Sequence, residues 1–93
     1  MSLPKEIRNL LNKHPGLVHT ENCKVTSHVQ REEDNWFVNT LMIADQNVPF
    51  LYKRKERYQS LTGARVNITY YPVEQEVAGI AFEAMKIVRL KRS

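Results

Sequence analysis

The chain is short of the residues that would settle its class cheaply. It has one cysteine in 93 residues, so no internal disulfide framework can hold it together, and its reading is a protein of the reducing cytoplasm. It has three glycines and four prolines, which excludes a fibrous repeat or a low-complexity linker. Neither of the glycine-rich phosphate loops, GxGxxG and GxxxxGK[ST], occurs. No apolar run approaches the roughly 20 residues that cross a bilayer, so no membrane partner is expected. The first ten residues, MSLPKEIRNL, carry charges at positions 5, 6 and 8 and do not read as a signal peptide.

What is present is ordinary globular usage with a basic balance. Apolar residues make up 42% and charged residues 26% of the chain, and the net charge is +4. At this length the expectation is one domain over residues 1–93. The charge is not evenly spread. Between residues 51 and 71, Lys53, Arg54, Lys55, Arg57 and Arg65 face one acid, Glu56. Residues 86–93 carry Lys86, Arg89, Lys91 and Arg92 and no acid. Between them lie Glu74, Glu76 and Glu83. Two short basic segments therefore carry the excess, and such patches attract polyanions.

Residues 2–14 predict a helix. Pro4 suits a first turn, and Leu3, Ile7, Leu10 and Leu11 share one stripe before Pro15-Gly16 stops it. That stripe could cover the protein's own core or serve a protein partner or a homodimer. From residue 17 the period changes to two. Cys23, Val25, Ser27 and Val29 alternate with Lys24, Thr26, His28 and Gln30, the pattern of a half-buried strand over 17–30. Residues 31–35 read as a polar turn and 36–44 as a second strand whose two faces are equally apolar. Residues 48–52 make a third strand, with Pro49 favouring an edge or a bulge. Residues 53–61 predict a short helix closed by Gly63. Residues 64–71 alternate cleanly as a fourth strand, with Tyr70 inward and Tyr71 outward. Residues 72–79 read as an acidic loop, and 80–90 as a last strand whose apolar phase slips, as at a bulge.

The order is helix, three strands, short helix, two strands. The expected class is all-β: a five-stranded barrel, the closed form that removes exposed edges. Several stretches resemble oligonucleotide/oligosaccharide-binding (OB) domains. WFVNTLMIAD, residues 36–45, is similar to that family's apolar second strand closing on an aspartate. Tyr58-x-x-Leu61-x-Gly63-x-x-Val66-x-Ile68 resembles its helix end, glycine and fourth strand. Phe82-x-Ala84-x-x-Ile87 resembles the last strand of bacterial single-stranded-DNA-binding and tRNA-anticodon-binding members. The resemblance spans about residues 20–91 and leaves residues 1–14 outside it.

Such a fold implies a ligand surface on the second and third strands, flanked by the first–second and fourth–fifth connections. On that surface Trp36, Phe50 and Tyr52 become stacking platforms, with Lys24 and His28 beside them. The basic run Lys53, Arg54, Lys55 and Arg57 follows, and Arg65 and Tyr71 mark the outward face of the fourth strand. A basic track with aromatic faces is what a single nucleic-acid strand needs. The expected function is therefore a non-enzymatic module that binds single-stranded nucleic acid with little sequence specificity. The alternative is a protein–protein adaptor. Both flanking connections are acidic here, through Glu32-Glu33-Asp34 and Glu74/Glu76, a departure that sets carboxylates against phosphates.

No metal or cofactor is expected. His19, Cys23 and His28 form the only compact ligand-type cluster, and no second cysteine completes a zinc set. Trp36, the single tryptophan, weighs towards the core on size alone.

Overall fold

The computed structural model describes residues 16–57 and 59–93. The helix expected over residues 1–14, with Leu3, Ile7, Leu10 and Leu11, lies outside them. Five strands follow in order: β1 (Val18–Glu33), β2 (Trp36–Ile43), β3 (Phe50–Arg54), β4 (Arg65–Val77) and β5 (Ile80–Arg92). They close in a barrel-like ring in the order β1-β2-β3-β5-β4, with β1 returning to β4. All neighbours are antiparallel except β3 and β5, which are joined by two parallel rungs, Phe50↔Met85 and Leu51↔Lys86.

β1 closes the ring because it serves two neighbours. Its first half pairs with β4, from Val18↔Tyr70 to Lys24↔Arg65, and its second half with β2, from Val25↔Ile43 to Glu33↔Trp36. Two register shifts bend it. One lies between Thr20 and Cys23, where Asn22 takes φ 57° and its N–H donates to Asn67 Oδ1. The other lies between Val25 and Ser27 and inserts Thr26 as the extra residue. A bulge shifts side-chain parity by one. That shift overturns the simple alternation read for this strand: Val29 turns out to solvent at 59% exposure, and His28 turns in.

The inward face of β2 is Phe37, Asn39, Leu41 and Ile43, the set the sequence could not distinguish. Leu41 and Asn39 are 0% and 1% exposed. Leu41 and Ile43 join Val25, Phe50, Leu61, Val66, Ile68 and Ile87 in the apolar core, each side chain contributing about 1.5–3 kcal/mol by leaving water. Tyr70 lies inward as expected, its ring edge-on to Phe50 at 4.9 Å. The phase slip in the last strand is also present, as a register shift between Thr69↔Arg89 and Tyr70↔Ile87 that leaves Val88 unpaired.

Among the described residues there is no helix, which corrects the short one expected over 53–61. Lys53 and Arg54 continue β3 against Val38 and Phe37. The connection beyond is irregular, and the Leu61 N–H donates to His28 Nδ1 at 2.9 Å rather than to a helical carbonyl. Of the Tyr58/Leu61 spacing that suggested a helix, Leu61 is a core anchor, 1% exposed, and Tyr58 lies outside the described residues. Gly63 sits in a β-turn instead of a helix cap, at φ 85° with Ala64 N bonded to Leu61 O.

The acidic loop expected over 72–79 is likewise replaced. β4 and β5 stay paired to Val77↔Ile80, and only Ala78 and Gly79 turn, both at positive φ. Asp34 and Asn35 do the same between β1 and β2. Positive φ at both central residues is the type I′ pattern that matches strand twist.

One part-buried polar chain runs along this core through the buried Asn39. Leu61 N–H holds His28 Nδ1 as an acceptor, so Nε2 carries the hydrogen and donates to Asn39 Oδ1 at 2.7 Å. Asn39 Nδ2 donates to Tyr52 O at 3.2 Å and to Phe37 O at 3.3 Å. Replacing Asn39 by leucine removes its hydrogen bonds to His28 Nε2 and to the Tyr52 and Phe37 carbonyls. The expected loss is about 2–4 kcal/mol, roughly 10–20 °C in Tm. Val29→Thr, on the exposed side, should stay within about 0.5 kcal/mol. Urea or thermal unfolding of both variants checks this, and equal stabilities would contradict it.

Candidate nucleic-acid interface

Inward Asn39 and Leu41 force the alternate residues of β2, Trp36, Val38 and Thr40, onto the outer surface. The register sets Val38 beside Lys53 and Thr40 beside Leu51. Across the short β3–β5 seam, Lys86 lies on the same rung as Leu51 and opposite Tyr71. The paired arm of β4 and β5 extends past that seam. Between the arm and the outer β2–β3 face runs a groove of about 250 Å³. Val38, Leu51 and Tyr52 form part of its lining, Lys53 and Lys86 bring cations, and Glu74 and Gln75, consecutive residues on opposite faces of the β4–β5 ribbon, border it from β4.

At the adjoining end of the same face, Trp36 is 39% exposed, and Lys55 Nζ lies 4.3 Å from its ring centroid. A lysine over an exposed indole contributes about 0.5–1 kcal/mol. Arg57 stands over the Phe37 ring at 5.4 Å. Arg54 lies within 3.9 Å of Glu56. Glu33, paired with Trp36 across the β1–β2 ladder, is 3.6 Å from Arg31.

The residues read as site candidates therefore separate into three groups. Trp36, Lys53 and Lys55 converge on the groove and its adjoining end, with Arg54 and Arg57 nearby and Tyr71 directly opposite Lys86, while Tyr52 borders the groove but shares the inner side of β3 with Phe50 and packs against the core. Lys24 and Arg65 are exposed and pair with each other, but roughly 30 Å of β1 separates Lys24 from Glu33 beside Trp36. His28 and Phe50 face inward. Phe50 is 1% exposed, and both ring nitrogens of His28 are engaged, so neither presents a free face to a ligand. Trp36 reverses the weighting towards the core, because Asn39 and Leu41 take the inner positions of its strand.

Sequence reasoning missed Lys86, Gln75 and Val38 as groove residues. Their basic, polar and apolar types carried no signal. Only the ring order brings β5 alongside β3.

Among the described residues no three histidine, cysteine, aspartate or glutamate side chains converge on a metal-sized site. Nor is any helix there long and apolar enough to cross a membrane. His19 bonds Thr69 Oγ1 through Nδ1 at 2.8 Å, while Cys23 packs against the core. Compared with known protein families, with curated proteins and with solved structures, the chain matches none.

Burial raises the Cys23 thiol above its ordinary range by disfavouring the thiolate. A raised folded pKa stabilises the protein below the unfolded thiol value and loses that contribution as pH rises through the folded one. Alkylation of Cys23 by iodoacetamide should therefore lag that of the urea-unfolded chain across the whole thiol titration range. Equal rates at each pH would show the thiol to be unprotected.

Proposed function

We propose that the chain is an OB-like module that binds single-stranded nucleic acid across the outer β2–β3 face. The ring order, the parallel β3–β5 seam and the groove flanked by the β4–β5 arm support the family reading. The observation that carries the function is Trp36, exposed on that face with Lys55 over its ring and Lys53 on the next outward rung. An indole offers a stacking surface to any base, and adjacent lysines offer countercharge to phosphates without reading sequence. Lys86, across the groove, would hold the strand from the other side.

A second reading, a protein–protein adaptor, rests on the tip of the β4–β5 arm. Val77, Ile80 and Phe82 are 58%, 59% and 49% exposed, and the register places Val77 with Ile80 and Phe82 with Gln75 on one face of the ribbon. An apolar face on a two-stranded arm is costly to leave in water. Light scattering of wild type and Phe82→Ser separates the readings: an assembly dissolved by Phe82→Ser, without oligonucleotide affinity, favours the adaptor.

Trp36 is the only tryptophan, so its emission reports on this face directly. Titration with a single-stranded oligonucleotide should quench it. Three phosphates met by Lys53, Lys55 and Lys86 predict a log–log salt slope of about −2. Lys53→Ala should weaken all sequences alike. No quenching at low salt, or quenching indifferent to salt, contradicts the proposal.

A further inference from the structure

The β4–β5 arm projects past the ring as a two-stranded ribbon, and its two edges differ. Met85 N–H donates to Pro49 O at 2.9 Å, so the backbone groups of Met85 point away from β4 and towards β3. Hydrogen-bonding direction alternates along a strand, and the register from Pro72↔Met85 to Val77↔Ile80 is unbroken. Ala81 and Glu83 therefore turn their N–H and C=O groups to that same side, beyond the first β3 rung at Phe50. Both are exposed, and among the described residues no backbone partner outside the hairpin reaches either. On the opposite edge the outward positions are Pro72, Glu74 and Glu76. Proline has no N–H to offer, and charged side chains discourage an added strand, so that edge is guarded. The β5 edge has only Glu83. Beside it, Ile80 and Phe82, 59% and 49% exposed, share a face of the ribbon with Val77.

We infer that the β5 edge pairs with the same edge of a second copy of the chain, antiparallel and two-fold about Phe82, in a sheet ordered β4-β5-β5-β4. The inference rests on the arm reading above, to which it assigns a partner, and is independent of nucleic-acid binding. A two-fold at Phe82 sets Ala81 of each copy opposite Glu83 of the other, so the outward N–H and C=O groups of both residues are paired. Phe82 meets Phe82 in the closer, non-hydrogen-bonded position between them, and Ile80 lies opposite Ala84. No like charges stand directly opposite. A shift of two residues one way sets Glu83 against Glu83, which is unfavourable. A shift the other way sets Glu83 against Gly79, in the turn. The guarded β4 edges then end the sheet, so the pairing closes as a dimer.

Sedimentation velocity on the full chain over a concentration series should show a monomer–dimer equilibrium. Ala81→Pro tests the edge itself. The Ala81 N–H serves no bond within the hairpin, so a single arm keeps its ladder, while the dimer loses one hydrogen bond per copy and meets a steric block. The dissociation constant should rise about thirtyfold or more. Cysteines in a Cys23→Ala background read the register. Phe82→Cys should form an interchain disulfide under mild oxidation, because its Cα atoms lie about 4.5 Å apart across the pair. Glu83→Cys should not, because the two copies of residue 83 lie two positions out of register, more than about 7 Å apart. A monomer at every concentration, a dimer indifferent to Ala81→Pro, or equal cross-linking at both positions would overturn the edge pairing. An assembly that survives Ala81→Pro but is lost in Phe82→Ser would overturn it too, and leave the apolar face of the arm as the adaptor surface.

Discussion

The fold turns on a part-buried hydrogen-bonded chain on the inner side of the ring, from the Leu61 amide through His28 and the buried Asn39 to the Tyr52 carbonyl. It ties β1, β2 and β3, consecutive neighbours in the ring, to the connection after β3. Each link demands something of the backbone. His28 must point inward, which needs the extra residue at Thr26. The Leu61 amide must reach an imidazole, so that N–H cannot serve a helix. Asn39 must be inside, so Trp36 is outside. A buried polar network costs more half-made than absent, so these demands hold together or fail together. The surface available for binding is set by what the interior requires.

The charge pattern acquires meaning only on this frame. Lys53 and Lys86, from two basic segments far apart in the chain, border one groove beside the β3–β5 seam. The acidic stretch between them returns to the same groove as Glu74 on the paired arm. Lys24 and Arg65 pair elsewhere on the ring. A net charge of +4 thus resolves into a mixed-sign groove, a basic-aromatic end beside it, and a separate basic patch.

The strand count, the outward Tyr71 and inward Tyr70, and the slip in the last strand were legible because regular alternation and its interruption are local signals. The bulge at Thr26 was not. Nothing in Val25-Thr26-Ser27 marks an inserted residue, and its effect, turning His28 in and Val29 out, shows only against the partner strand. The length of the β4–β5 arm was hidden for a related reason. Its turn is Ala78-Gly79 rather than the asparagine–glycine pair that usually announces a type I′ hairpin, and its acidic residues resemble a loop. The helix expected over 53–61 rested on two apolar residues, of which Leu61 is a core anchor. For the site, Trp36, Lys53 and Lys55 could be named from composition, while the opposing wall could not, because it depends on a long-range parallel pairing.

The central claim is that the inner face is locked and the outer β2–β3 face is free to bind. Amide chemical-shift mapping by NMR during titration with a single-stranded oligonucleotide tests it most directly. The account predicts shifts concentrated at Trp36, Val38, Lys53, Gln75 and Lys86, with the Leu61 amide and the Asn39 side chain unmoved. Shifts centred on Lys24 and Arg65, or spread through the His28–Asn39 chain, would contradict it.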